Sequence, residues 1–209
     1  MMELSSKATG NMLKGLLTIG VVLSITLVFT TFFDIYYYDL YQSFISEIDL
    51  VISIIYLVLW LITVVFYLVW IHKVHQDLKR FNSQYPITPG GALARIIIPF
   101  YNIYGLWNVF STMRNYFKEY SSTLKLAQIM TTLIPFYYIL YWATNVLNQL
   151  VSRNQIINNH VIFSSYVLDT VLVVIYLFMT KYILESLQSI SNEISSDNKS
   201  QSEVTTEIK

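Results

Sequence analysis

Asp169 is the one acid inside a long apolar run, Val161–Leu184. A carboxylate at that depth costs about 2.5–3.5 kcal/mol on insertion scales and is a functional candidate by default. It could relay a proton or cation, or pair two helices; the plainer reading is a hydrogen-bonded acid that fixes helix packing. Asn145 and Asn148 on the preceding run, and Arg153 in the loop between, are the polar groups within reach. The second feature is a set of cations, Lys73, Lys79, Arg80, Arg95 and Arg114, joined by Lys118. Such a cluster suits a lipid headgroup or another anion, above all beside a helix N-terminus with its free N–H groups. Its plainer reading is the ordinary excess of basic residues on one side of a membrane. His72, His75 and Lys79 sit at i, i+3 and i+7, which is not the i, i+4 pair of a zinc helix. They read as a basic collar snorkelling toward headgroups. Gly90-Gly91 lacks the Lys-Ser/Thr ending of a phosphate loop. There is no cysteine, no Gly-x-Ser-x-Gly and no His-Glu-x-x-His, and no acid–base set converges. The chain is therefore expected not to be an enzyme and to need no cofactor or metal. Its net charge of zero argues against a nucleic-acid surface.

The cations lie around a broken apolar stretch, Thr88–Phe110, inside an element spanning 88–118. Thr88 and Pro89 predict a helix start: a hydroxyl cap, then proline where its missing N–H costs nothing. Gly90, Gly91, Ala92 and Ala94 allow close approach to a helix or to headgroups. Pro99 stops the first helix. Asn102 is expected to cap a second short one whose apolar face is Ile103, Leu106, Trp107 and Phe110. Each half is about 10 residues, roughly 15 Å, which is half of a hydrocarbon core of about 30 Å. Two arrangements fit: a pair of amphipathic helices lying in the interface, or a re-entrant hairpin covered by protein or water. Arg95, costly at depth, favours the first.

The elements that must position these residues are four apolar runs. They are expected to span at about 15–33, 50–71, 126–147 and 161–184. Residues are 55% hydrophobic and 12% charged, against about 25% charged in soluble domains. The first run is long for a signal peptide and ends in Phe32, Phe33 and Asp34 rather than small residues, so it reads as a retained span. The connection Asp34–Asp49 carries acids and no Lys or Arg. With four spans, both termini and the middle segment share a side, and that side holds every Lys and Arg except Arg153. It is therefore expected to be cytoplasmic. Residues 1–194 form one membrane domain, and Ser195–Lys209 reads as a disordered cytoplasmic tail.

The order Trp70–Lys73, His75, Thr88–Gly90, Ile98–Pro99, Asn102 and Leu106–Trp107 resembles the bacterial family catalogued as domain of unknown function 4328. The likeness runs from Val65 to Tyr116; the flanking spans match by hydropathy only. A typical member has an Arg-Asn pair in the exiting helix where this chain has Gln76 and Asp77. The resemblance implies a multi-pass bacterial inner-membrane protein with Trp70, Thr88, Pro89, Gly90, Pro99, Asn102 and Trp107 as its motif residues. It implies no activity.

The expectation is thus an all-α polytopic membrane protein. Its leading function is a non-catalytic interaction or scaffold protein that contacts membrane lipid or a protein partner, with homo-oligomerisation left open. The alternative is a small channel or transporter subunit using Asp169 and a re-entrant Thr88–Phe110.

Overall fold

No glycine or proline occurs from residue 21 to 85 or after 135, so little in those stretches ends a helix. The computed structural model describes residues 3–152 and 159–207, with side chains of the last helix placed to residue 196. It is 91% helical, with no strand among the described residues. The order is α1 (Lys7–Tyr36), α2 (Tyr38–Leu40), a π-helical turn (Tyr41–Ile45), α3 (Ser46–Phe81), α4 (Pro89–Ile97), α5 (Pro99–Phe117), a 3-10 turn (Ser121–Thr123), α6 (Leu124–Ser152) and α7 (Asn159–Glu207).

Four helical segments are long and apolar enough to cross a bilayer: Lys7–Tyr36, Tyr38–Phe81, Ser121–Ser152 and Asn159–Ser196. Their best windows have mean hydropathies of 2.3, 2.7, 1.2 and 2.1. The second is decisive, because none of its apolar window is buried within the protein. Ile54, Leu57, Leu61 and Val65 all stand open. Contiguous apolar surface on that scale is not left in water by a soluble monomer, whereas hydrocarbon accepts it. The polytopic all-α architecture read from hydropathy is the one observed.

Two boundaries differ from expectation. The connection Asp34–Asp49 is helical except at Tyr37, where φ −139° and ψ 54° make the turn. Two of its four acids are engaged: Asp49 accepts from the hydroxyls of Thr30 and of Tyr41, and Asp34 accepts from Asn159. The tail expected to be disordered from Ser195 is helical as far as Glu207, since α7 meets no breaker and its Glu, Lys and Gln are tolerant helix formers. Residues 208–209 of that tail lie outside the described residues.

The chain divides into two compact units. Unit 1 comprises residues 1–11, 67–134 and 179–209; unit 2 comprises 12–66 and 135–178. Unit 1 has the denser interior. Trp70, Ile71, Val74 and Leu78 of α3 are buried with Val109, Phe110, Met113 and Phe117 of α5, and with Ile183, Leu187 and Ile190 of α7. Gly10 lets the start of α1 come close, for a Cβ there would lie 2.7 Å from Trp70 Nε1 and from both Leu184 methyls. In unit 2 the buried side chains are fewer, among them Leu13, Leu17, Leu27, Tyr137, Leu172 and Ile175. Pro135 lies within continuous α6. The carbonyl it frees is that of Thr131, and the Thr131 hydroxyl donates to Ala127 O at 2.9 Å.

Candidate functional site

The broken element of unit 1 is a helical hairpin. Asn82 ends the preceding helix and turns the chain, its side chain accepting from Gln84 N–H at 2.8 Å. Thr88 then takes an extended backbone and its hydroxyl accepts from Gly91 N–H at 3.1 Å, with Pro89 at the first helical position. The cap was legible in the sequence because only a short oxygen-bearing side chain satisfies that orphan donor. α4 ends at Ile97, Ile98 is extended, and Pro99 opens α5. The second helix is longer than expected. It has 19 residues and runs from Pro99 to Phe117, so Asn102 lies inside its first turn rather than capping it. A proline suits the first position of a helix as well as it ends the previous one.

The two arms close at one point. A Cβ on Gly105 would lie 2.3 Å from the carbonyl oxygen of Arg95, 2.7 Å from its Cβ and 2.8 Å from its Cα. Only glycine permits that approach. Below it the base is sealed: Ala92, Leu106, Val109 and Phe110 are buried. Above it the tip is open and apolar. Ile97, Phe100 and Tyr104 are 56%, 90% and 63% exposed, and Ile98 and Ile103 are about as open as Ile97. Of the motif residues, Trp70 is buried in the unit 1 core, Thr88 and Pro89 start α4, Pro99 forms the turn, and Trp107 is half-buried on α5. Gly90 has nothing within 4 Å of where its Cβ would be, so its side of the helix is clear.

Each of the five candidate cations has a partner of its own. Lys73 donates to Thr9 Oγ1 at 2.8 Å. Lys79 donates to Ser83 O at 2.9 Å. Arg80 stands 3.6 Å from Asp77. Arg114 donates to Asn115 Oδ1 at 2.8 and 3.2 Å. Arg95 reaches back along α4 to give Nη1–H to Gly91 O at 3.0 Å, and its guanidinium carbon is 5.4 Å from the Tyr101 ring centre. Its Nε is buried without an acceptor.

The expected histidine collar is corrected. His72 is exposed but His75 is fully buried, with Nδ1 2.9 Å from Ile71 O. A carbonyl only accepts, so Nδ1 carries the proton. His75 Nε2 and the Tyr85 hydroxyl are both buried and unpartnered, and their rings are 5.8 Å apart. Burial pushes the Tyr85 phenol above its ordinary range, against the opposite pull of the Arg95 charge. The spacing does put His72, His75 and Lys79 on one face, but periodicity does not say that the segment carrying Tyr85 packs on His75.

Asp77 stood out in the sequence only as a departure from the family's Arg-Asn pair and was given no role there. It is buried, and its carboxylate accepts from Ser5 N–H at 3.0 Å, Ser5 Oγ–H at 2.7 Å and Ser6 N–H at 2.9 Å. It therefore caps the start of α1 from a distant part of the chain. The available signal was one acid amid the basic residues 72–80.

In unit 2, Asp169 is half-buried and accepts from Asn148 Nδ2 at 3.3 and 3.4 Å, while Asn148 Oδ1 accepts from the Ser165 hydroxyl. Asn145, paired with Asp169 as a candidate polar site, instead donates to Tyr141 O of its own helix at 2.6 Å. An asparagine with a backbone carbonyl one turn away satisfies itself locally. Arg153 lies outside the described residues.

No family model, no curated protein and no solved structure matches this chain. The likeness to the family with the Trp, Thr-Pro-Gly and Ile-Pro signature rests on those motif residues alone.

Proposed function

We propose that the protein is a non-catalytic interaction protein of the bacterial inner membrane, with both termini and the α4–α5 hairpin cytoplasmic. The hairpin works as an amphipathic element at the inner headgroup layer. The observation that carries this reading is the hairpin's division into a sealed base and an open tip. Phe100 at 90% exposure and its apolar neighbours suit lipid or a greasy partner and suit water badly. Sidedness draws on charge. By chain segment, unit 1 holds every Lys and Arg except Lys14 and Arg153, and unit 2 holds Asp34, Asp39, Glu47, Asp49 and Asp169. Basic residues are retained on the cytoplasmic side.

The test is photo-crosslinking in living cells from a reactive residue placed at Ile103, with Ser83 as the water-facing control. The reading expects lipid adducts, with or without one discrete protein adduct, from position 103 and none from position 83. Equal, diffuse labelling from both positions would refute it.

A further inference from the structure

We propose that Arg95 is the phosphate-binding residue of an anionic-phospholipid site on the α4–α5 hairpin. The proposal rests on the reading that the hairpin tip lies in the headgroup layer, and it names the ligand there.

Four observations converge on this one side chain. First, of the five candidate cations Arg95 is the one with a buried N–H, Nε, that has no acceptor among the described residues. Its guanidinium donates to a neutral carbonyl and lies over the Tyr101 ring. Its charge reaches the Tyr85 phenol, and it forms no ion pair among the described residues. Guanidinium is the group that takes phosphate in a two-pronged grip, and this one retains donors for it. Second, its height is right. Arg95 precedes Pro99 by about one helical turn, roughly 6 Å at 1.5 Å per residue. With Phe100, Ile103 and Tyr104 among acyl chains, residue 95 falls at the level of the phosphates. Third, space has been cleared for the guanidinium. A Cβ on Gly91 would lie 3.0 Å from Arg95 Nη1 and 2.8 Å from the capping Thr88 hydroxyl, so any side chain there would disturb the group. Fourth, no Asp or Glu occurs between Asp77 and Glu119, so no nearby sequence acid competes for the charge or repels an anion.

The occupant is a membrane lipid rather than a soluble anion because the apolar tip and the cation belong to one hairpin whose arms pack together at Gly105. A ligand with a phosphate joined to acyl chains satisfies both at once.

The experiment uses the full chain in detergent, followed by native mass spectrometry with phosphatidylglycerol and, separately, phosphatidylcholine. The parent is expected to retain phosphatidylglycerol at least tenfold more tightly than phosphatidylcholine. Arg95→Gln should abolish that preference. Arg95→Lys should keep part of it, because a point charge replaces a fork. Gly91→Ala should weaken it severalfold, with every native charge still present. Lys79→Gln and Arg114→Gln should change it less than twofold. Inorganic phosphate at millimolar concentration should not displace the lipid.

Retention of the preference in both Arg95→Gln and Gly91→Ala would overturn the proposal. So would equal loss in Lys79→Gln, which would mark a diffuse field rather than a site. Displacement by inorganic phosphate would reassign the site to a soluble anion and overturn it likewise. The chain has no native cysteine, so a single nitroxide at Phe100→Cys in vesicles of the same lipids checks the underlying reading separately. A lipid-embedded label with no role for Arg95 sinks this proposal alone, and a water-exposed label sinks the reading beneath it.

Discussion

Gly105→Ala isolates the packing on which the hairpin depends. Alanine normally gains about 1 kcal/mol over glycine inside a helix. At position 105 its methyl would meet the Arg95 carbonyl oxygen at 2.3 Å, with that residue's Cβ and Cα at 2.7 and 2.8 Å. Contacts under 3.0 Å do not occur at real Cβ atoms, and two of these three atoms are backbone, so no rotamer change relieves them. The arms must part by roughly 1 Å, and strain of that kind costs about 1–3 kcal/mol. Three simultaneous contacts put it at the upper end, leaving a net loss of about 2 kcal/mol after the helix-propensity gain. For a chain of this size that lowers the unfolding midpoint by about 4–8 °C. The assay is thermal unfolding in mild detergent followed by fluorescence-detected size exclusion. Gly15→Ala is the control, because nothing lies within 4 Å of its Cβ position; it should melt no lower than the parent. Gly10→Ala should fall between, since it meets Leu184 and Trp70 side chains rather than backbone. A Gly105→Ala protein that melts with or above the parent would show that the arms do not close at Arg95.

Asp77→Ala should destabilise by about 3 kcal/mol, since it strands Ser5 and Ser6 donors in a buried site. Asp77→Asn, which keeps one acceptor oxygen, should cost less than half of that; equal losses in thermal unfolding would refute the capping role. Thr88→Ala should cost about 1 kcal/mol and Thr88→Ser almost nothing, as the cap needs only the hydroxyl that accepts from Gly91. A full loss in the serine variant would contradict it. Asp169→Asn should leave proton and cation flux into liposomes indistinguishable from the parent, because its contact with Asn148 is read as packing. A flux present in the parent and lost in the variant would instead establish the transport alternative.

Hydropathy and punctuation carried the sequence reading as far as local physics reaches. The four apolar helices, the Thr88-Pro89 start and the break at Pro99 all follow from rules that act within one turn of chain. The reading stopped where a partner far along the sequence decides the outcome. Asp77 was given no role because its partners, Ser5 and Ser6, lie some seventy residues away. Gly105 gave no signal because its need is set by Arg95 across the turn. His75 was placed with His72 because helical spacing does not say which flank a later helix covers. Asn145 and Asn148 were equal candidates beside Asp169, and only the rotation of α6 and α7 chose Asn148.

The central claim is that the chain crosses a bilayer four times, keeps its basic hairpin inside and dips the tip into lipid. Single cysteines at Asp39, Ser83 and Phe100 in this cysteine-free chain test it with one impermeant maleimide. The account predicts that position 39 labels in intact cells, position 83 labels only after the membrane is opened, and position 100 resists labelling until detergent is added. Labelling of position 83 in intact cells, or of position 100 without detergent, would contradict it.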